Sequence, residues 1–266
     1  MIRVLRHLPG RRVTTLVGTG AGELAVLKLF ATSRARGGHR RLIVFAESRA
    51  GFLVPRPLGH RKGHLALVEF IAGTPLDQLS DEELVGAAAL AGRALRHLHD
   101  SGAELGRTWG VADEIAQLRR TAGPATRAAV DLAIAQWTPP AQGRNVPSHR
   151  DCHPAQVVWT GGGVRFIDLD DSAMAPPGLD VGNFLAHLQM KALLEPRKKD
   201  ATAAAMDSFA SGYGSAPPAL GPWTRLALAR LAALAETRHK SLQRAEVLCG
   251  ALEQVAPSGA EHRSPA

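Results

Sequence analysis

The chain has 266 residues, 45% of them hydrophobic, so it can bury a sizeable core in one two-lobed domain or in two small ones. Its two cysteines, Cys152 and Cys249, argue against a disulfide framework or a structural zinc site, and no apolar run approaches the roughly 18 residues of a membrane span. These features predict a soluble, cytoplasmic protein without a membrane-inserted segment.

The formal net charge of +8 is concentrated at the start of the chain, where residues 1–70 hold 13 Lys or Arg and only 3 acids. Two interpretations stay open. These side chains either face solvent, or they attract an anionic molecule such as ATP or an acidic peptide. A nucleic acid is not expected as a partner, because only 5% of the residues are aromatic and none of them clusters with these arginines to stack on bases.

The first 70 residues are rich in β-prone runs. Antiparallel strands are expected at residues 3–7, 12–17 and 24–30, with another strand at residues 65–70. The glycine-rich run 18–22 lacks the order of a nucleotide-binding loop, so it is interpreted as a hairpin turn. A helix is predicted over residues 39–50.

Helices dominate after residue 73. Ser80 and Glu83 have the spacing of a capping box, and apolar residues follow them at helical spacing. Further helices are predicted over residues 111–121, 124–137, 180–194, 200–212 and 222–254. The sequence therefore predicts an α+β fold with an N-terminal lobe over residues 1–72, a mainly helical lobe over residues 73–256 and a disordered polar tail over residues 257–266.

The most informative segment runs from His149 to Gln156 and is followed by Asp168 twelve residues later. Two short β-prone runs around three glycines predict a hairpin that returns Asp168 to the side of this segment. Asp151 is interpreted as the base that accepts the proton of a substrate hydroxyl, while Gln156 and Asp168 are interpreted as magnesium ligands. This combination predicts an ATP-dependent phosphotransferase. His149 is expected to brace the backbone of the loop.

Lys28 alternates with apolar residues on the third predicted strand. One of only six lysines, it is expected to reach the α- and β-phosphates of ATP. Such a lysine needs a carboxylate partner, and Glu47 is the only acid between Lys28 and the strand at residues 65–70. The sequence therefore predicts that Glu47 pairs with Lys28.

The order of strand lysine, His-x-Asp-x-x-x-x-Gln, hairpin and Ile-Asp resembles the aminoglycoside phosphotransferase/choline kinase family. The resemblance is most specific over residues 147–188 and weaker before residue 70. It implies a two-lobed protein-kinase-like fold, ATP and Mg2+ as cofactors, and the same roles for Lys28 and for the three residues of the catalytic segment. It also implies that Glu69 to Ile71 offer backbone groups to adenine and that Asp180 accepts hydrogen bonds from loop amides. The chain departs from the family where Gln156 replaces the commoner Asn and where the phosphate-covering loop is poor in glycine.

The identity of the phosphate acceptor is less well defined. Residues 181–266, which supply substrate contacts in such a family, hold seven acids against ten Lys or Arg, and this argues against a polycationic aminoglycoside. The favoured function is therefore O-phosphorylation of a small neutral or anionic hydroxyl compound. Two alternatives are phosphorylation of Ser or Thr in a peptide from bacterial natural-product biosynthesis, and a non-catalytic kinase-like scaffold. The sequence makes no prediction of oligomeric state.

Overall fold

The computed structural model describes residues 1–18, 24–138, 143–214 and 220–254. Five antiparallel strands lie near the N-terminus: β1 (Ile2–Leu8), β2 (Arg12–Gly18), β3 (Leu24–Phe30), β4 (Pro57–Arg61) and β5 (Leu65–Glu69). They form one sheet in the order β1-β2-β3-β5-β4, and helix α1 (Ala35–Glu47) packs against it. The strands predicted in this region are confirmed. The predicted turn over residues 18–22 lies, after Gly18, outside the described residues.

Two features of this sheet region differ from the prediction. Strand β4 was not expected, because Pro57 and Gly59 disfavour a strand, but an edge strand with an irregular register tolerates both. Helix α1 begins at Ala35 rather than residue 39 and ends at Glu47 rather than residue 50. Two glycines weaken the local helix signal there, and one of them, Gly38, lies beside Asp170, where an added Cβ would make an ordinary contact of 3.4 Å with the Asp170 backbone.

The rest of the chain is mainly helical. Its helices are α2 (Asp81–His99), α3 (Val111–Thr121), α4 (Arg127–Ala135), α5 (Pro177–Leu194), α6 (Lys199–Tyr213), α7 (Leu220–Thr237) and α8 (Leu242–Gln254). The capping box at the start of α2 is formed as predicted, since the Glu83 amide donates to Ser80 Oγ and the Ser80 amide donates to the Glu83 carboxylate. The α+β class predicted from the sequence is confirmed.

The predicted single helix over residues 222–254 is wrong, because α7 and α8 are separate. Lys240 adopts a left-handed backbone conformation with φ of 55°, which ends the first helix. Ser241 Oγ then accepts a hydrogen bond from the Arg244 amide at 3.4 Å, as an N-capping side chain does. Residues 236–241 are six consecutive polar residues, and this interruption of the apolar pattern is the signal that the prediction of one helix passed over.

Short strands carry the predicted catalytic segment. They are β6 (Thr74–Pro75), β7 (Val146–Ser148), β8 (Val157–Trp159), β9 (Val164–Phe166) and β10 (Ala173–Ala175). The predicted hairpin is formed by β8 and β9. The Ile167 amide, directly after it, donates to the Gln156 carbonyl at 2.9 Å and so brings the following Asp168 beside the loop.

One core extends from the sheet into the helices. It includes Leu42 and Phe45 of α1 together with Leu95 of α2 and Phe184 of α5. No helix among the described residues is long and apolar enough to cross a bilayer. The lobe boundary at residues 72–73 stays a prediction, and the tail over residues 257–266 lies outside the described residues.

Candidate active site

A cleft of about 1200 Å³ lies between the N-terminal sheet and the helices. Six of the seven predicted site residues line it: Lys28, Glu69, Ile71, Asp151, Gln156 and Asp168. The seventh, Glu47, does not. The fold therefore gathers residues from three strand ends, a loop and a hairpin around one volume.

Asp180 fixes the loop that precedes the predicted base. Its carboxylate is fully buried and accepts from the backbone amides of His149 at 2.7 Å and Arg150 at 2.6 Å. His99 Nε2 lies 3.1 Å from the same carboxylate. Burial raises the pKa of Asp180, but these hydrogen bonds and the nearby histidines outweigh it, so the pKa is lowered overall. The structural role implied for Asp180 matches this geometry.

His149 ties the loop to the hairpin. Its Nε2 lies 2.8 Å from the Ile167 carbonyl, which can only accept, so Nε2 carries the proton. The other ring nitrogen, Nδ1, is then free to accept from the Asp151 amide at 3.3 Å. The imidazole thus braces the backbone of Asp151 against the residue that precedes Asp168, as expected from the sequence.

Asp151 itself opens into the cleft. Its side chain is 46% exposed, with Arg230 Nη1 at 3.6 Å and His153 Nε2 at 3.9 Å. His153 stacks on His187 at 4.2 Å, and burial chiefly lowers its pKa to about 4, so it is neutral at physiological pH. Asp151 is therefore accessible to a substrate hydroxyl, and Arg230 is the cation beside it.

Asp168 lies between two cations. Lys28 Nζ donates to Asp168 Oδ1 at 2.8 Å, while Arg12 spans both carboxylate oxygens with two bonds of 2.8 Å. Burial raises the pKa of Asp168, but Lys28 and Arg12 outweigh it and hold the pKa well below its ordinary value. Asp168 also has a left-handed backbone with φ of 63°, a conformation that commonly occurs at functional sites.

Asp170 completes this cluster and was not predicted as a site residue. Its Oδ2 lies 2.9 Å from Lys28 Nζ and 2.6 Å from Arg12 Nη1. Burial and the neighbouring Asp168 raise its pKa. Arg12 was also not predicted as a site residue, although the pairing of the two strands was a usable signal. Arg12 pairs with Phe30, and Thr14 pairs with Lys28. Arg12 and Lys28 therefore lie on the same face of the sheet.

The predicted pairing of Glu47 with Lys28 is wrong. Lys28 is bonded to Asp168 and Asp170, whereas Glu47 is exposed at the last position of α1. Glu47 is the only acid in α1, and the part of that helix nearest the site offers Gly38 and Arg41 instead. Arg41 donates to the Asp170 carbonyl, so α1 contacts the segment of Asp168 and Asp170 through an arginine rather than through a glutamate.

The far end of the cleft is apolar. Val26, Val68, Ile71 and Ile167 line it. The Glu69 carboxylate is bound by Arg165 at 2.9 Å, and the Glu69 amide donates to the Arg56 carbonyl at 2.9 Å. The Glu69 carboxylate is therefore held by Arg165, and both Glu69 and Ile71 lie in the lining of the cleft.

Two remaining loop residues have structural contacts. The Arg150 guanidinium lies 3.6 Å from the centre of the Trp109 ring and donates to the Asp171 carbonyl at 3.0 Å. Cys152 is fully buried, and burial raises the pKa of its thiol well above the ordinary value. Cys152 is thus a packed, unreactive thiol.

The site suits a hard divalent cation. Asp168, Asp170 and the buried Gln156 offer oxygen atoms, the donor type that Mg2+ prefers. Among the described residues, no group of three or more His, Cys, Asp or Glu side chains is placed to hold a metal alone. This composition fits Mg2+, which commonly uses one or two carboxylates and completes its shell with substrate phosphates and water.

Several solved structures have a similar fold. A thermostable mutant of the aminoglycoside phosphotransferase APH(4)-Ia is 15% identical with a TM-score of 0.73, over 98% of this chain and 96% of the other. A choline/ethanolamine kinase family protein from Mesorhizobium loti is 16% identical with a TM-score of 0.67, over 96% and 88% of the chains. The macrolide 2′-phosphotransferase from Brachybacterium faecium is 19% identical with a TM-score of 0.60, over 96% and 92%. These likenesses confirm the predicted kinase-like fold.

The sequence comparison is consistent with the fold. No curated protein matches the chain. A family model described as phosphotransferase enzyme family matches residues 9–223, which include both the strand lysine and the whole catalytic segment. The prediction of a phosphotransferase is thereby confirmed, and the chain belongs to the phosphotransferase enzyme family.

Proposed function

We propose that this protein transfers the γ-phosphoryl group of ATP to a hydroxyl group of a small neutral or anionic molecule. The observation that carries the proposal is the meeting of Asp151, Gln156, Asp168 and Lys28 in one cleft, with Asp180 holding the loop amides that precede Asp151. A non-catalytic scaffold would have no need to keep all four residues around the same volume.

The apolar end of the cleft is the proposed adenine site. Val26 and Ile167 supply apolar surface for the base, and the segment from Glu69 to Ile71 supplies backbone groups. The bonds of Glu69 to Arg165 support this assignment indirectly: because the carboxylate is already bound, the backbone of this segment is the part proposed to bind adenine. Among the similar structures, ternary complexes of APH(4)-Ia with hygromycin B contain ADP or AMP-PNP.

Lys28 and Arg12 are the proposed phosphate ligands. Both cations already converge on Asp168 and Asp170, the carboxylates beside which the phosphates and their metal would bind. Asp168 and Gln156 are the proposed magnesium ligands, and Asp170 adds negative charge beside them. Magnesium held by these residues would neutralise the negative charge that develops on the phosphate oxygens.

The chemistry at the acceptor belongs to Asp151. The hydroxyl oxygen of the acceptor attacks the γ-phosphorus of ATP, the bond from that phosphorus to the β,γ-bridging oxygen breaks, and ADP leaves. The hydroxyl proton passes to the Asp151 carboxylate. His149 holds the backbone of Asp151 in place for this step.

A small acceptor is favoured over a protein segment. Only eleven residues separate Asp168 from Asp180, and α5 already begins at Pro177, so no long activation loop is present to form a peptide platform. The peptide alternative keeps one supporting observation, the basic residues along the cleft. The solved relative with hygromycin B in its site also supports a small acceptor.

Two measurements test the proposal. Thermal-shift titration with ATP should raise the melting temperature only when Mg2+ is present, which a non-binding scaffold would not show. ADP release should then be followed with panels of hydroxyl compounds and of Ser/Thr peptides, with Asp151→Asn as the inactive control. Acceptor-stimulated ADP release that persists in this variant would contradict the role of Asp151.

A further inference from the structure

The cleft is strongly basic on the side that holds Asp151. Of its lining side chains, ten are Lys or Arg and five are Asp or Glu. Five of these bases form what we call the arginine wall: Arg6, Arg11, Arg230, Arg238 and Arg244. The wall combines strand β1 and the turn after it with α7, the α7–α8 connection and α8.

Ion pairs neutralise only one member of the arginine wall, Arg230, which lies 3.6 Å from Asp151 and 3.9 Å from Glu114. Glu69 pairs with Arg165, Asp168 and Asp170 pair with Arg12 and Lys28, and Asp171 pairs with Arg34 and Arg107. Asp151, 3.6 Å from Arg230, is the remaining cleft acid. Within the described residues, Arg6, Arg11, Arg238 and Arg244 have no ion-pair partner.

The wall is one electrostatic unit. Partial burial lowers the pKa of Arg238, and the charges of Arg11, Arg230 and Arg6 lower it further, while Asp151 raises it. The pKa of His239, beside it, is lowered by burial and then by Arg244, Arg238 and Arg6. Several like charges thus lie within range of one another and of the proposed base. Their mutual repulsion is unfavourable unless an anion binds among them.

The position of the wall separates it from the nucleotide ligands. Lys28 and Arg12 contact Asp168 and Asp170, whereas Arg230 contacts Asp151, the residue that would face the acceptor hydroxyl. The cleft volume of about 1200 Å³ also exceeds the roughly 300–1000 Å³ of a typical small-ligand site, so it has room for an acceptor beside the nucleotide.

We propose that the arginine wall binds an oxyanion group, phosphate or carboxylate, of a small acceptor whose free hydroxyl reaches Asp151. This inference rests on the proposed phosphotransfer function and narrows its acceptor to an anionic hydroxyl compound. Guanidinium groups suit this task, because they bind carboxylate and phosphate through paired, charge-assisted hydrogen bonds.

A matched set of three-carbon alcohols tests the proposal. Glycerol, serinol, glycerate and glycerol 3-phosphate carry hydroxyls on similar skeletons but differ in charge. Isothermal titration of each into the protein loaded with Mg2+ and AMP-PNP should show both acids binding at least about tenfold more tightly than glycerol, with serinol weakest. The affinities of glycerate and glycerol 3-phosphate, compared with each other, show whether the wall binds a carboxylate or a phosphate more tightly.

Matched variants locate the effect. Arg238→Gln with Arg244→Gln should remove the preference for the acids while magnesium-dependent AMP-PNP affinity stays unchanged. Changing both residues to Lys instead should restore part of the preference for the acids. Arg36→Gln with Arg40→Gln removes the same charge from exposed positions of α1 and should leave the preference intact.

Three results would overturn the proposal: equal affinity for all four alcohols, no binding of either acid, or equal losses in the two Gln pairs. Binding of an acidic pentapeptide such as Asp-Asp-Ser-Asp-Asp without binding of either acid would also overturn it, in favour of a peptide acceptor. If the unmodified protein does not bind AMP-PNP in the presence of Mg2+, the proposed phosphotransfer function fails, whatever the result with the acids. The acid preference can then still be read by titrating the nucleotide-free protein.

Discussion

Arg12 and Asp168, 156 residues apart, form a two-pronged ion pair in which each terminal guanidinium nitrogen lies 2.8 Å from a different carboxylate oxygen. The pair joins the second strand of the sheet to the residue that follows the catalytic hairpin. Lys28 binds the same carboxylate, so both cations lie where ATP phosphates are proposed to bind. In a kinase-like fold, a glutamate of the first helix commonly orients the lysine. Here Asp168 and Asp170 orient it.

This geometry predicts that Arg12→Lys weakens ATP binding. Lysine keeps the positive charge but cannot form the two-pronged contact, so the KM for ATP should rise about tenfold. Steady-state kinetics at saturating acceptor measures this change. Arg3→Lys, a similar substitution at an exposed position of β1, should leave the KM unaltered. An unchanged KM in Arg12→Lys would remove Arg12 from the phosphate site.

Asp151→Asn should keep ATP affinity and lower turnover by at least about a hundredfold, because a positioned general base contributes rate on that order. The amide cannot take up the hydroxyl proton but fills the same space. Nucleotide affinity by thermal shift and turnover by ADP release separate the two effects. Turnover equal to that of the unmodified protein would exclude Asp151 as the base.

Asp168→Ala should abolish the magnesium-dependent part of nucleotide stabilisation. The substitution removes the charged ligand proposed for the metal and leaves Gln156, which is neutral. It also frees Arg12 and Lys28, so ATP should retain magnesium-independent affinity through those cations. Thermal shifts with ATP in the presence of Mg2+ or of EDTA measure both parts. A shift that still depends on Mg2+ would show that Asp168 is not an essential ligand.

The local sequence pattern predicted the catalytic loop well, because its parts are close in sequence. The hairpin between Gln156 and Asp168 needs only two short strands and a glycine turn. The contact of Asp180 with the loop amides was implied by the family resemblance rather than by any local signal.

The partners of Lys28 were beyond such reasoning. Asp168 and Asp170 reach Lys28 only after the sheet has packed on the hairpin, and the local sequence pattern does not predict that long-range contact. Glu47 was predicted because it is the only acid between Lys28 and the strand at residues 65–70, whereas in the folded site the acids beside Lys28 come from the segment after the hairpin. The break after α7, by contrast, had a local signal in the polar run at residues 236–241, where the Lys240 backbone and the Ser241 cap lie.

Gln156→Asn should retain activity within about threefold, since an amide oxygen remains available to the metal. The side chain is shorter by one methylene, and the magnesium concentration needed for half-maximal activity should therefore rise modestly. Gln156→Ala removes the oxygen and should raise that concentration much further. Kinetics at varied Mg2+ gives the comparison. A fully active Ala variant beside an inactive Asn variant would rule out a ligand role for Gln156.

Asp180→Asn should destabilise the fold by about 3 kcal/mol at neutral pH, because a buried carboxylate with charge-assisted hydrogen bonds loses its charge and gains an NH2 group that faces donors. The folded pKa of Asp180 is lower than the ordinary value near 4, so its contribution is fully present above that value and is lost as the pH falls through the folded pKa. Urea unfolding at several pH values should therefore show a constant difference in the free energy of unfolding between the two proteins from pH 8 to 5. This difference should narrow below about pH 4. Asp131→Asn, at an exposed position of α4, serves as the control and should show no gap. A gap that persists unchanged into acid would mean that the charge of Asp180 does not stabilise the loop.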